Sequence, residues 1–189
     1  MTAPAALVCD FVNSYDVESD TDALSSPAAL AAWLGRRGLV EPGTTAGDED
    51  LAVAVDLREA LRAALRHHHG RGPAGDGQDE DGQDRASAPH AFDRLPVTVV
   101  LTAGGPVLEP AVTGTLGGLA RIAVAVMEVR AEGSWPRLKV CTESTCQWAF
   151  VDSSKNRSRS WCSMKVCGNR TKTRAYRARR QTGTGSRHL

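Results

Sequence analysis

Four of the five cysteines in this 189-residue chain, Cys141, Cys146, Cys162 and Cys167, fall within a stretch of 27 positions with the spacing C-x4-C-x15-C-x4-C. A close cysteine pair returns two sulfurs to one side of a tight turn, and two such pairs supply the four soft ligands that zinc takes in a tetrahedron. With every ligand position filled by protein, no place is left for water or substrate, so the chemistry is structural rather than catalytic. Disulfides compete for the same residues, with three ways to pair four cysteines, but they belong to oxidising compartments. The N-terminus, Met1-Thr2-Ala3-Pro4-Ala5-Ala6-Leu7, has no basic residue before its apolar stretch and Asp10 soon after it, unlike a secretory signal. An iron–sulfur cluster also uses four cysteines, without any redox context here. One structural zinc ion is the expected cofactor, and the cytoplasm the expected location.

Basic residues surround the cysteines. Residues 1 to 133 hold 10 of the 23 Lys and Arg and 20 of the 22 Asp and Glu, a net of −10; residues 134 to 189 hold the rest, a net of +11. Phosphates are gripped through Lys and Arg, and the counterions they release drive association, so this division points to a nucleic acid. Lys155, Arg157 and Arg159 lie in the arm between the cysteine pairs, and Arg170, Lys172, Arg174, Arg177, Arg179 and Arg180 follow Cys167. On a helix, Arg170, Arg174 and Arg177 share a face at i, i+4, i+7 spacing. These residue types do not separate DNA from RNA, and an acidic protein, including the chain's own N-terminal half, would suit the same surface. A homodimer is a further expectation.

The remaining residues assemble no catalytic set. Asp10, Asp16, Glu18 and the histidines are isolated acids and bases. His67-His68-His69 cannot converge on one ion, because consecutive helical residues point about 100° apart. Cys9 reads as a buried small hydrophobe. The longest helix-compatible apolar segment, residues 116 to 129, falls short of the roughly 20 residues a membrane span needs.

Elements that could hold the basic module follow from periodicity. Leu7 to Val12 suits a strand or the first turn of a buried helix. Ser26-Pro27 opens a helix that continues to Arg37 and ends at Gly38, with Leu30, Trp33 and Leu34 on one face. Asp48-Glu49-Asp50 precede a helix from Leu51 to about His69, with Arg58, Arg62 and Arg66 on its more polar side. Residues 70 to 90 read as a flexible acidic loop. Leu95 to Leu101 and Val107 to Val112 suggest a hairpin, with Pro106 at the turn or at the first residue of its strand. Residues 116 to 129 suggest another helix, and Leu138-Lys139-Val140 and Gln147 to Val151 two short strands, with Trp148, Phe150 and Trp161 available for a miniature core.

The segments Cys146-Gln147-Trp148-Ala149-Phe150-Val151-Asp152, Arg159-Ser160-Trp161-Cys162-Ser163-Met164 and Cys167-Gly168-Asn169-Arg170 together resemble the CGNR zinc finger. Leu7-Val8-Cys9-Asp10-Phe11-Val12-Asn13-Ser14 resembles the opening of the ABATE domain that usually precedes that finger. The resemblance implies a stress-induced transcription regulator with Cys141, Cys146, Cys162 and Cys167 as zinc ligands, a DNA-binding finger, and an N-terminal domain receiving a small-molecule or protein signal. Ser153 and Ser160 stand where the family often has basic residues. Gly168 suits a place where a Cβ would crowd, and Asn169 a helix cap. The expected fold is α+β: a mainly helical N-terminal domain with a β-hairpin over residues 1–133, a four-cysteine module with short strands and a basic helix over 134–181, and a flexible tail over 182–189.

Overall fold

The computed structural model describes residues 1–69 and 92–183, with side chains through residue 180. The N-terminal region runs α1 (Ala3–Val12), β1 (Tyr15–Asp16), β2 (Thr21–Asp22), α2 (Pro27–Arg36), α3 (Asp48–Arg66), β3 (Val97–Thr102), β4 (Gly105–Pro110) and α4 (Gly114–Ala131). The C-terminal region follows with β5 (Leu138–Val140), β6 (Ala149–Val151) and α5 (Asn169–Gly183). The strands pair as three antiparallel two-stranded ribbons. This is the α+β arrangement expected. The acidic loop near 70–90 lies outside the described residues; of the tail expected over 182–189, residues 182 and 183 close α5 and the rest lie outside the described residues.

Local chemistry explains most boundaries. The run from Leu7 to Val12 is helical because Ala5, Val8, Cys9 and Val12 repeat at helical spacing and face the core. Burial pushes the Cys9 thiol up to about 12, which suits an inert core residue. Ser26 Oγ accepts the Ala29 N–H at 3.1 Å, with Pro27 at the first helical position. The Asp50 carboxylate reaches back to the Gly47 N–H at 2.9 Å at the start of α3. On α4, a Cβ at Gly118 would lie 2.6 Å from Val40 Cγ1 and one at Gly117 2.5 Å from the Val112 carbonyl oxygen, so the close approach of the chain there needs glycine.

Four expectations need correction. The helix expected to reach His69 ends at Arg66, because the rings of His68 and His69 turn to carbonyls of β5. Arg58 and Arg62, expected on a polar face, are buried. Pro106 is the second residue of β4, opposite Leu101, and Ala103-Gly104 make the turn. The strand expected from Gln147 begins at Ala149, because Gln147 adopts a left-handed φ of 51° to turn the chain after Cys146.

One apolar core crosses the boundary between the two halves. Val8, Phe11, Leu34, Leu57, Leu61 and Ile122 of the helices cluster with Leu138, Val140 and Ala149 of the β5–β6 ribbon. The basic module is therefore seated on the helical region. A second, smaller cluster joins Cys141, Cys146, Phe150 and Cys167, with Trp161 and Cys162 packed against it.

Candidate metal centre and basic surface

The first cysteine pair sits on a turn leaving β5. The Cys141 N–H donates to the Trp148 carbonyl at 2.9 Å, and the N–H groups of Cys146 and Gln147 both donate to the Glu143 carbonyl, at 2.9 and 3.2 Å. Of the second pair, Cys162 precedes and Cys167 lies within a π-helical turn, Met164–Gly168, that runs into α5, with Ser163 Oγ accepting from the Val166 N–H. Thr142 ties the two pairs together by donating its N–H to the Ser160 carbonyl at 3.0 Å.

The four sulfurs lie within 4.8 Å of one another, with Cys146 to Cys162 at 3.6 Å and Cys162 to Cys167 at 3.7 Å. A tetrahedron of Zn–S bonds of about 2.3 Å places its sulfurs about 3.8 Å apart, close to these two separations, so the set fits zinc. Burial pushes the Cys146 thiol up to about 11 and moves Cys162 upward too. A dication among them inverts this balance and holds them as thiolates, so metal binding releases protons. All four cysteines carry free thiols. What zinc supplies when bound is a covalent-strength tie between the two turns.

Glu143 and Asp152 are the only acidic residues after position 133. Both are buried, and each holds a cation of the basic module. Asp152 accepts Lys139 Nζ at 2.8 Å, the Arg159 N–H at 2.9 Å and both the N–H and Oγ–H of Ser154. Lys139 Nζ also donates to the carbonyls of Arg157 and Arg159, so this pair folds the arm between the cysteine pairs. Burial alone would raise the Asp152 carboxyl, but these donors hold it well below the usual carboxylate range. Glu143 accepts Thr171 Oγ1 and Arg174 Nη2, both at 2.9 Å, and Thr145 Oγ1 at 3.2 Å. These hydrogen bonds outweigh burial and lower its carboxyl likewise.

Six side chains of the N-terminal region grip the module, among them Arg66 on the Gln147 side chain and Glu18 on Arg170. Asn13 makes a paired contact with β6, donating Nδ2 to the Ala149 carbonyl at 2.9 Å and accepting the Ala149 N–H at 2.7 Å. Arg62 donates to the carbonyls of Val12, Tyr15 and Gln147 at 2.7, 3.1 and 3.0 Å. His68 Nδ1 and His69 Nε2 meet the outer-edge carbonyls of Leu138 and Val140 at 2.6 and 2.5 Å, which each ring must do as a donor. Nothing in the local pattern around Asn13, Arg62 or the histidines pointed to this use. The scarcity of acids in the basic half was the one legible signal for Glu143 and Asp152.

The nine basic residues expected at a nucleic-acid surface divide into two groups. Lys155, Arg157, Lys172, Arg177, Arg179 and Arg180 are exposed, with the Arg180 guanidinium 5.9 Å from the Tyr176 ring. Arg159 donates to the Trp161 and Cys162 carbonyls and lies over Phe150, Arg170 donates to Glu18 at 2.7 Å and Thr145 at 3.1 Å, and Arg174 is held by Glu143. Among the structural candidates, Phe150 and Trp161 pack around the cysteines, whereas Trp148 is 40% exposed and stands outside that core. A Cβ at Gly168 would come 2.5 Å from Met164 Sδ and 3.4 Å from the Trp161 ring, so the crowding anticipated there comes from protein. Asn169 has helical backbone angles and donates to the Lys165 carbonyl; Ser163 does the capping.

Fold and site together define a zinc-finger protein: a four-cysteine metal centre that fixes a basic helix against a helical domain. The family model named ABATE, "Putative stress-induced transcription regulator", matches residues 5–133, and the CGNR zinc finger model matches residues 137–180. The first match spans more than half of the chain, which therefore belongs to the ABATE family, with a CGNR zinc finger at its C-terminal end. Both are regulatory modules rather than catalytic ones. No curated protein matches the chain. Among the described residues, no helix is long and apolar enough to cross a membrane.

Proposed function

We propose that this chain is a zinc-dependent, DNA-binding transcriptional regulator of stress responses, acting in the cytoplasm, with Cys141, Cys146, Cys162 and Cys167 as the zinc ligands. The observation that carries the reading is the anchoring of α5. The helix continues directly from the π-helical turn that carries Cys167; Thr171 and Arg174 tie it to the buried Glu143, and its exposed cations then run outward. A helix about 10–12 Å across fits the B-DNA major groove, about 12 Å wide. Lys155, Arg157, Lys172, Arg177, Arg179 and Arg180 are the exposed cations this reading assigns to phosphates. DNA is favoured over RNA because α5 carries one aromatic residue, Tyr176, and not the stacking series that single strands use. A salt titration of the zinc-loaded protein against duplexes selected from a random pool tests the reading. Tight, steeply salt-dependent binding to selected duplexes supports it, and preference for single-stranded RNA or no binding at all refutes it.

Residues 1–133 serve as the sensing or association unit and 134–181 as the finger. A cleft of about 680 Å³ between α1, α4 and β4, lined in part by Leu7, Val40, Glu41, Arg121 and Glu128, offers a small-molecule signal a place to bind. The β3–β4 hairpin supports a homodimer. Val97, Val99, Leu101, Pro106, Leu108 and Pro110 share one of its faces, with Val99 70% and Leu101 82% exposed. An exposed apolar face without charged side chains suits burial against a second copy of this chain. The hairpin enters α4 at one end and the finger follows the other, so pairing there carries two fingers apart toward separate half-sites. Sedimentation equilibrium of the wild type and of V99K/L101K decides this. The expected result is a wild-type dimer and a folded monomeric variant.

A further inference from the structure

We propose that α5, with the π-helical turn that leads into it, reads duplex DNA with the surface bearing Lys165, Asn169, Lys172 and Tyr176, and that Arg170 and Arg174, on the opposite face of α5, are positioning residues that aim the helix. This rests on the DNA-binding reading above and assigns its reading surface.

At about 100° per residue, positions 169, 172 and 176 of α5 fall in one stripe and positions 170, 171 and 174 in another, on the far side of the helix. Lys165, in the π-helical turn before it, is joined to the first stripe by the Asn169 Nδ2 bond to its carbonyl at 3.0 Å. Partners, more than burial, separate the stripes. Arg170 and Thr171 are half-buried and Arg174 is 56% exposed, yet all three are bonded to protein acceptors, whereas Lys165, Asn169, Lys172 and Tyr176 are exposed. The inner stripe is spoken for by protein acceptors. The Glu143 carboxylate, with no exposed side-chain surface, takes both Thr171 Oγ1 and Arg174 Nη2 at 2.9 Å. A phosphate that drew Arg174 away would leave this carboxylate buried without its cation, a costly exchange. Arg170 is bridged to Glu18, on the β1–β2 turn, and to Thr145, beside Cys146. Two arginines on one face thus connect α5 to the first cysteine turn and to the N-terminal region, which fixes the direction in which the helix leaves the metal centre.

The outer stripe has the chemistry of a base-reading surface. Lys165 and Lys172 are compact cationic donors suited to phosphate oxygens or the guanine O6 and N7 edge. Asn169 spends one amide hydrogen on the Lys165 carbonyl at 3.0 Å, which fixes its side chain at the start of the helix and leaves a second N–H and a carbonyl for a base edge. Tyr176, 55% exposed, adds an aromatic ring with a hydroxyl. From Lys165 to Tyr176 the helix rises about 16 Å, about half a turn of duplex. The i, i+4, i+7 pattern of Arg170, Arg174 and Arg177 draws attention to arginine, yet it marks largely the inner side.

The slope of log affinity against log salt counts phosphate contacts and distinguishes the two roles. Full-length zinc-loaded protein is titrated with a selected duplex at several salt concentrations, using wild type, Lys172→Ala, Asn169→Ala and Arg174→Ala. Lys172→Ala is expected to weaken binding about tenfold and lower the slope by about one. Asn169→Ala is expected to relax discrimination against a mismatched base without changing the slope. Arg174→Ala is expected to weaken all duplexes alike with the slope unchanged. Arg174→Lys, which retains a cation opposite Glu143, stays within about threefold of wild type and serves where Arg174→Ala loses zinc. A slope lowered by about one in Arg174→Ala, or an unchanged affinity and slope in Lys172→Ala, overturns the assignment while DNA binding stands. No duplex binding by the wild type overturns the DNA-binding reading itself.

Discussion

Replacing Asp152 by asparagine probes the buried pair that folds the arm between the cysteine turns. The Lys139 side chain is 2% exposed and that of Asp152 0%, with Nζ 2.8 Å from Oδ2. Asparagine keeps an acceptor for the Ser154 N–H and hydroxyl but turns an NH2 toward Lys139 Nζ and the Arg159 N–H. Two donors lose their acceptor, and the ammonium stays buried with only the Arg157 and Arg159 carbonyls. Removing one partner of such a pair costs about 3–5 kcal/mol, a hundredfold or more in the folding equilibrium. Because folding of a small zinc module is coupled to metal binding, a comparable loss is expected in apparent zinc affinity, read by competition with a chromophoric chelator. The double variant K139M/D152L recovers most of it, since an apolar pair has no charge to desolvate. A zinc affinity for Asp152→Asn within about threefold of wild type would show that the pair does not organise the arm.

Cys162→Ser is expected to lose zinc and the fold of residues 138–168, measured by metal content and circular dichroism, while the N-terminal helices persist; equal zinc and fold would contradict the ligand set. Arg62→Ala strands the Val12, Tyr15 and Gln147 carbonyls at the seam between the helices and the finger, and should destabilise the whole chain by about 2–4 kcal/mol in chemical denaturation. Glu18→Gln loosens Arg170 without touching the metal centre. It should leave zinc affinity unchanged, with any effect confined to DNA affinity measured by anisotropy. For pH, Asp22 is desolvated yet held below its ordinary value of 3.8 by Arg58 and the Leu24 N–H. A depressed carboxyl contributes stability fully above its unfolded pKa and loses it as pH falls through the folded one. Asp22→Asn should therefore reduce stability at neutral pH and flatten its decline below about pH 4, followed by urea melts.

Much of the centre was legible because its parts are close in the chain. Zinc coordination needs paired thiolates from tight turns, and C-x4-C pairs announce them at the level of spacing. The helices were legible for the same local reason: apolar residues at 3.6 periodicity, Ser26-Pro27 at a start and acids in the first turn of α3. Their ends were less so. Nothing near His68 says that its ring will meet the Leu138 carbonyl 70 positions away, and that contact turns the chain out of α3. Arg58 and Arg62 read as surface residues because a charged side chain is normally solvated, and only the convergence of Asp22, Glu59 and main-chain carbonyls makes their burial tolerable.

The sequence by itself determined the four cysteines of the candidate metal centre, the α+β composition and the opposition of an acidic half to a basic one. Tertiary structure decided which charges face water. The acidic residue that holds Arg170 is 152 positions distant, and the one that holds Arg174 belongs to the opposite cysteine turn. Periodicity shows which residues share a face of α5, but only the partners packed against that helix show which face is spent, because burial is a property of the assembled neighbours and not of the helix that carries the side chain.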